Sequence, residues 1–600
     1  MTTTKEANTP MSGGSTPSNA VYGSDYMVEV LRALGVKYIA LNPGASYRGL
    51  HDSIVNFGSG GPEMVLCTHE EIAVAVANGY FRVTGEPIAT GLHNVVGLQH
   101  ASMAIFNAWC DRSAIINLGG GGPQDANQRR STDWVHTALV QGNAVRDYVK
   151  FDDQPASIEA MPESLLRAMR TAMTDPKGPV YVCLDSTIQE QRMDEALPVP
   201  DVSLFRPPAP PAPNADALAK AVDVLAGASW PVMVVGEVGR NPSALPAVVE
   251  LAETLACAVV DAEGRFGFPN THPLDLTGVR ERALSDADVV LALDVPSLGV
   301  PLGPSVRERG ALQLAVPQGT RLIHVTLLDQ ERQNWVTDNQ WLLPVEVPIA
   351  ADTAQAVPLL AAALRERLAN SATVEERRAQ VTAMHEEMRA AAAKWVSDNW
   401  SAAPISAARL YGEIAERVKG VEWAMVNSHG RRVRDVLEIT DHAHELGGGR
   451  GAGVGYGLPS SVGAALAYRG TGRLCISVVG DGDFLMTSNA LWTAAHCNIP
   501  LLVVVFNNRS YYNDEEHQER IARWRDRPVE NKGIGIQITD PAPDFATLAR
   551  AFDVAGFGPV SEPGALGPAL DEAIAVVRSG KPAVVDVLTQ PRYSLSQRNP

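Results

Sequence analysis

Apolar residues along this chain gather in short unbroken runs. Val180–Leu184, Pro231–Val235, Val289–Leu293, Leu474–Val479 and Leu501–Phe506 are almost wholly apolar. A strand with one wet face alternates apolar and polar residues, whereas a strand covered on both faces reads as a continuous apolar run. These runs therefore predict parallel strands inside open sheets. Between them, segments such as Tyr26–Leu34 and Asn489–His496 carry apolar residues at helical spacing. Strand–helix alternation repeated along the chain predicts an α/β fold of three open, mostly parallel, doubly wound sheets. Ligands of such sheets bind at the carboxyl ends of the strands.

Breaks in the pattern divide the chain. Arg206–Asn214 holds five prolines, favours polyproline II and reads as a linker. A charged, Ala-rich helical stretch, Val374–Trp395, leads to Pro404 and marks a second boundary. The expected domains are residues 21–200, 210–370 and 400–595, each of ordinary single-domain size. Residues 1–20, rich in Thr, Ser, Gly and Pro and without an apolar core, are expected to form a disordered tail rather than a signal peptide.

Composition narrows the function classes. Of the 600 residues 45% are hydrophobic and 20% charged, an ordinary globular balance. The formal charge of −18 argues against nucleic acid as a partner. No apolar run reaches the roughly 18 residues of a membrane span. Six scattered cysteines make neither a disulfide framework nor a zinc spacing, which suggests reduced thiols and a cytoplasmic location.

The most specific chemistry lies in Val479–Asn508. A buried strand ends in Gly480-Asp481-Gly482, a helix follows, and the next strand ends in Asn507-Asn508. Two adjacent parallel strands would deliver a carboxylate and an amide oxygen to one sheet edge. Such hard oxygen ligands suit Mg²⁺, which takes diphosphate oxygens for its remaining positions. Glycines permit close backbone approach, and a helix N-terminus favours an anion. Either motif alone is a common turn; the pair, with a strand, helix and strand between, is specific. This segment resembles the signature of the thiamine-diphosphate (ThDP) enzyme superfamily, including its acetolactate-synthase-like and benzoylformate-decarboxylase-like members.

The resemblance covers about residues 21–595 and implies the domain order pyrimidine, middle, diphosphate. It implies that Asp481, the Asn508 side chain and the Ser510 backbone carbonyl hold Mg²⁺. Gly480, Gly482, Asp483 and Tyr511 would lie against the cofactor, although the family often has Ser or Ala where this chain has Asp483. In the glycine-rich stretch Leu446–Pro459 it implies that Gly453 and Val454 approach the cofactor, Val454 as the wedge that bends it. Asn427-Ser428-His429 would reach the diphosphate from the other side.

ThDP chemistry deprotonates a thiazolium carbon. The base is the cofactor's own amino group, activated by a partly desolvated glutamate at the pyrimidine ring. The family places that residue directly after a histidine at a strand exit, which here is Glu70 in His69-Glu70-Glu71; the alternative for Glu70 is a plain helix-start acid. In Thr90–Trp109 acetolactate-synthase-type members have a Ser/Gly-Pro-Gly turn, whereas this chain has His93, as benzoylformate-decarboxylase-like members do; there the histidine exchanges protons, a task an imidazole suits. The turn Asn42-Pro43-Gly44 also resembles those members, but their active-site serine aligns with Ala45 unless Ser46 serves by a shift of one. Arg48 is either a contact for an anionic substrate or a plain surface arginine. Gln141 aligns loosely with a glutamine near the reacting carbonyl, and residues 509–534 form a charged segment, either a solvated face or a substrate lid.

In the middle domain, Val234–Arg240 carries only a weak Gly-x-x-Gly signal, and the Gly-x-Arg-Phe signature of FAD-binding members is absent. A structural domain is expected there rather than an FAD site. The resemblance implies an enzyme that makes or breaks a carbon–carbon bond next to a carbonyl. A 2-oxo acid decarboxylase or carboligase is the first expectation. The alternatives are hydrolysis of a 1,2-dione, an acetolactate-synthase-like transfer, or a cofactor-binding homologue without turnover. The expected substrates are a small 2-oxo acid, aldehyde or diketone, and the expected assembly is a homodimer or homotetramer with the active site at a subunit interface.

Overall fold

The computed structural model describes residues 16–58, 60–195, 197–262, 264–303, 313–328, 342–369, 371–430 and 432–591. It divides into two compact units, one drawn from residues up to 209 apart from 82–85, the other from those four residues and residues 210 onward.

The first unit is built on one parallel sheet. Its strands are β1 (Tyr38–Leu41), β2 (Glu63–Leu66), β3 (Ala89–Leu92), β4 (Ile116–Gly121), β5 (Asp152–Asp153) and β6 (Val180–Asp185), in the order β2-β1-β3-β4-β6-β5. β6 is buried at every residue, as its unbroken apolar run requires. The helix Gly23–Ala33 packs Met27 and Leu31 into the core. Its start is fixed by Asp25, whose carboxylate accepts the N–H groups of Val21 and Tyr22 at 3.1 and 3.0 Å. The carboxyl ends of β2, β1, β3 and β4 lie side by side, so the segments following them meet at one edge.

The expected tail needs correction. Residues 1–15 lie outside the described residues, but Thr16 pairs with Val199 through two backbone hydrogen bonds of 3.1 and 3.0 Å, and Ala20 is buried. Residues 16–20 thus pack with the first unit.

The second unit holds two parallel sheets. One comprises β7 (Pro231–Val235), β8 (Ala258–Asp261), β9 (Val289–Leu293), β10 (Arg321–Thr326) and β11 (Val347–Ala350), in the order β11-β10-β9-β7-β8. The other comprises β12 (Trp423–Asn427), β13 (Leu474–Gly480), β14 (Leu502–Asn507), β15 (Ala555–Val560) and β16 (Ala583–Leu588), in the order β12-β13-β14-β16-β15. Val503, Val504 and Val505 of β14 are fully buried; each such side chain is worth about 1.5–3 kcal/mol relative to exposure.

The stretch expected to part these two sheets packs against both. Helix Ala372–Asn399 buries Arg377, whose guanidinium donates to the carbonyls of Leu255 (3.1 Å) and Ser229 (3.0 Å) beside the second sheet. Near its other end, Arg389 donates to the Arg434 carbonyl at 3.1 Å, and the Arg432 guanidinium lies 3.7 Å over the Trp395 ring. No described helix is long and apolar enough to cross a membrane.

Candidate functional site

A cavity of about 410 Å³ opens where β12, β13 and β14 end. Adjacent parallel strands β13 and β14 pair Gly480 with Phe506, so the residues that follow each strand arrive together. Asp481 opens the helix Asp481–Thr487 and is 2% exposed. Its Oδ1 accepts the Gly482 N–H at 2.9 Å and its Oδ2 the Ser510 N–H at 3.1 Å. Asn508 Oδ1 accepts the same Ser510 N–H at 3.0 Å. The chain reaches this geometry through Arg509, a non-glycine residue at φ +60°, a strained conformation that the surrounding bonds hold in place. Burial pushes the Asp481 carboxyl up to about 6, and only backbone N–H donors oppose the shift. A buried carboxylate, an amide oxygen and a nearby backbone carbonyl are the donor set of a hard divalent cation.

The glycines here are steric requirements. A Cβ on Gly482 would stand 2.4 Å from the Tyr511 ring, and one on Gly480 3.0 Å from the His429 imidazole. His429 is held by Tyr411, whose hydroxyl donates to the His429 carbonyl (2.6 Å) and accepts its N–H (3.0 Å). Asn427 Nδ2 donates to the Val478 carbonyl at 2.7 Å. Ser428, Gly453, Val454 and Tyr511 complete the same wall, with Val454 47% exposed. Every residue of the second unit expected to meet the cofactor or the metal thus lines one cavity.

Asp483, the departure from the usual motif, has a definite place. Its carboxylate accepts the backbone N–H groups of Gly455, Tyr456 and Gly457. It therefore caps the helix Gly457–Ala467 and holds the glycine-rich loop immediately after Val454. Burial raises its carboxyl, and those three donors oppose the rise. Gly457 must lack a side chain, because a Cβ would lie 2.4 Å from Asp483 Oδ2. On its other side the loop is anchored by an ion pair between Arg450 and Glu237, just beyond β7. The charged segment after the metal-type site forms the helix Tyr512–Trp524, in which Glu519 is buried and paired with Arg523 and Lys532.

The first unit gathers a second group of residues at the edge of its own sheet. Glu70 begins the helix Glu70–Thr84 and is 5% exposed, whereas Glu71 is only half-buried. Glu70 Oε2 lies 3.0 Å from His100 Nδ1, and the His100 ring stacks on His69 at 4.7 Å. His93 precedes the helix Asn94–Cys110, with its Nδ1 3.0 Å from Ser46 Oγ. Ala45 is exposed and Ser46 fully buried, so it is Ser46 that faces His93. Glycine is again required around the pair, since a Cβ on Gly44 would lie 2.5 Å from His93 and one on Gly120 2.0 Å from Ser46 Oγ.

Gln141 and Arg48 both have partners within the first unit. Gln141 is 1% exposed and its amide nitrogen donates to the Gly120 carbonyl at 2.9 Å, facing Tyr181 and Cys183 rather than His93 or Glu70. Arg48 ion-pairs with Glu190 at 2.8 Å. Sequence reasoning missed His100. Its signal is the i, i+3 pair Gly97 and His100, where the glycine lets the helix approach Glu70: a Cβ there would stand 3.0 Å from Glu70 Oε1.

Three family models cover most of the chain: thiamine pyrophosphate enzyme N-terminal TPP binding domain over residues 21–142, central domain over 218–360, and C-terminal TPP binding domain over 428–587. The chain belongs to the thiamine pyrophosphate enzyme family. A benzoylformate decarboxylase of Pseudomonas aeruginosa is 26% identical across 95% of this chain and 99% of its own length. The acetolactate synthase isozyme 3 large subunit of Escherichia coli is 24% identical across 94% of each. The crystal structure of benzoylformate decarboxylase from Polynucleobacter necessarius shares the fold, with a TM-score of 0.76 at 19% identity over 96% of this chain and 100% of that one. Glu70, His93 and His100 therefore lie within the N-terminal TPP binding domain and Asp481, Asn508 and Ser510 within the C-terminal one, while the central family domain supplies the second sheet.

Proposed function

We propose that this protein binds ThDP and Mg²⁺ and acts as a 2-oxo acid decarboxylase or carboligase. The observation that carries the reading is the turn at Ser510, where Asp481 and Asn508 present oxygens to one point of a glycine-walled cavity. Asp481, Asn508 and the Ser510 carbonyl would hold the metal. Asn427, Ser428, His429 and the Gly480–Gly482 turn would take the diphosphate. Val454 would press on the cofactor from the loop that Asp483 holds. When bound, ThDP supplies a nucleophilic carbon and a sink for the electrons left when the carbon–carbon bond breaks.

The remaining roles belong to the chain. Glu70, buried at a helix start, exchanges a proton with the cofactor's pyrimidine nitrogen. His93, oriented by Ser46, gives or takes a proton at the substrate oxygen or carbon. His93 in place of a Pro-Gly turn favours decarboxylation or carboligation over acetolactate synthesis. Family membership further supports a small keto acid as substrate and an oligomer as the working form.

A proton NMR time course of the Mg²⁺- and ThDP-loaded protein with pyruvate, branched and aromatic 2-oxo acids, and cyclohexane-1,2-dione tests this reading. The expected result is aldehyde or acyloin from at least one 2-oxo acid. A ring-opened acid from the dione, with every 2-oxo acid intact, would replace it with a hydrolase.

A further inference from the structure

Four strands of the second sheet deliver an acid at their carboxyl ends, and each acid is met by an arginine. β9 is followed by Asp294 and β11 by Asp352, and Arg240 donates to both, at 3.1 and 2.9 Å. β8 ends in Asp261 and β7 is followed by Glu237, and both carboxylates are buried. Their arginines, Arg434 and Arg450, lie in the C-terminal TPP binding domain. Arg434 donates to Asp261 at 3.1 Å and to the Phe268 carbonyl at 2.8 Å, and it also pairs with Glu445. Arg450 donates to Glu237 at 2.5 Å. Glu445 and Arg450 bracket the start of the glycine-rich loop, and the Glu445 carbonyl accepts the Phe266 N–H at 3.0 Å. Between them Gly447, Gly448 and Gly449 run at φ +64°, +116° and +67°. Such a stretch has no side chains with which to fix its own path. Gly448 and Gly449 before Arg450, and Ala452, Gly453 and Val454 after it, line the cavity. The guanidinium fits beside Gly264, where a Cβ would stand 2.8 Å from Arg450 Nη1. In an open α/β sheet the carboxyl edge is the usual place for a ligand; here half of it faces the loop of another domain.

We propose that the second sheet braces the cofactor loop: Glu237, through Arg450, and Asp261, through Arg434 and Glu445, are positioning residues that hold the loop in the path that binds ThDP. The inference rests on the cofactor reading of the cavity under the proposed function. Asp483 fixes the end of the loop at Gly455–Gly457, and the two arginines fix its beginning. Val454 lies between the two holds. Without the Glu237–Arg450 pair the glycines would sample other paths, and part of the binding energy would go into ordering them. Removing one partner also strands the other charge away from water, which drives the loop out of place rather than merely loosening it. The central domain thus acts on cofactor binding without touching the cofactor.

The test compares the wild type, Glu237→Gln, Arg450→Gln and the double variant by two measurements. Backbone amide hydrogen exchange is followed by mass spectrometry in the ThDP-free protein, and ThDP affinity in excess Mg²⁺ by fluorescence titration. In each single variant residues 446–454 should exchange roughly tenfold faster and ThDP affinity should fall roughly tenfold, while Leu502–Asn507 keep the wild-type exchange rate. The double variant should be no worse than the more affected single variant, because both substitutions remove the same pair. Arg450→Lys, which keeps the charge, should restore most of the affinity. Unchanged loop exchange or unchanged affinity in the single variants, additive losses in the double variant, or equally faster exchange in Leu502–Asn507 would overturn the proposal. No ThDP binding by the wild type would instead overturn the functional reading beneath it.

Discussion

The two groups of candidate residues are built on different principles. At the edge of the third sheet the cavity is made mostly of backbone. Glycines 480, 482 and 457 bring main chain to the surface, and Asp481 and Asp483 are held by N–H groups rather than by other side chains. At the edge of the first sheet the chemistry lies in side-chain pairs, Glu70 with His100 and His93 with Ser46, supplied by three separate segments. A backbone site demands particular residues at particular spacings, so it leaves a motif. A side-chain site demands only that two groups meet, and many sequences satisfy that.

The sharpest way to break this comparison is to remove one acid from each region. Glu70→Gln keeps the shape of the side chain and would remove the proton exchange proposed for it. Turnover should fall by about 10²–10⁴-fold, while ThDP and Mg²⁺ still bind with near wild-type affinity by calorimetry. Asp481→Asn should do the reverse, weakening Mg²⁺-dependent ThDP binding by more than about a hundredfold, beyond the 10–100-fold typical of outer-shell losses. If Glu70→Gln abolished binding, or Asp481→Asn left it intact, the division of labour between the two regions would be wrong.

A smaller effect is expected at Asp483. Asp483→Ser restores the commoner family residue but loses a charged acceptor for three N–H groups. At about 1.5–3 kcal/mol for hydrogen bonds to a charged group, cofactor affinity should drop by roughly ten- to a hundredfold. Trypsin should then cut faster at Arg450 in the loosened loop. An unchanged affinity and cleavage rate would show that Gly455–Gly457 keep their conformation without the carboxylate.

How much of this was legible in the sequence follows from the same contrast. The buried strands were read directly because a strand covered on both faces needs an unbroken apolar run; β14 begins only one residue later than its run. The Gly-Asp-Gly and Asn-Asn segments were read because sheet adjacency fixes their spacing. Asp483 was seen, but its partners are N–H groups about 28 residues upstream, and no local pattern announces them. His100 becomes visible only once the helix Asn94–Cys110 turns Gly97 and His100 toward Glu70. The packing of residues 16–20 depends on Val199, and that of the helix Ala372–Asn399 on carbonyls far from Arg377. Long-range pairing of backbone groups carries no sequence signature, and that is where expectation and structure part.

The finest test concerns one hydroxyl. The three-residue turn Ala45–Tyr47 decides which of two neighbours faces inward, and it turns Ser46 toward His93 while Ala45 faces solvent. Ser46→Ala removes a neutral hydrogen bond worth about 0.5–1.5 kcal/mol, so kcat/KM should fall by roughly two- to tenfold with ThDP affinity unchanged. Ala45→Ser places a hydroxyl where the alignment with benzoylformate decarboxylase puts one, and it should change neither quantity. If Ala45→Ser also rescued the Ser46→Ala enzyme, the turn would have to re-form with residue 45 inward. Side-chain pairing would then govern the local backbone at this edge, as it does not at the glycine-walled cavity.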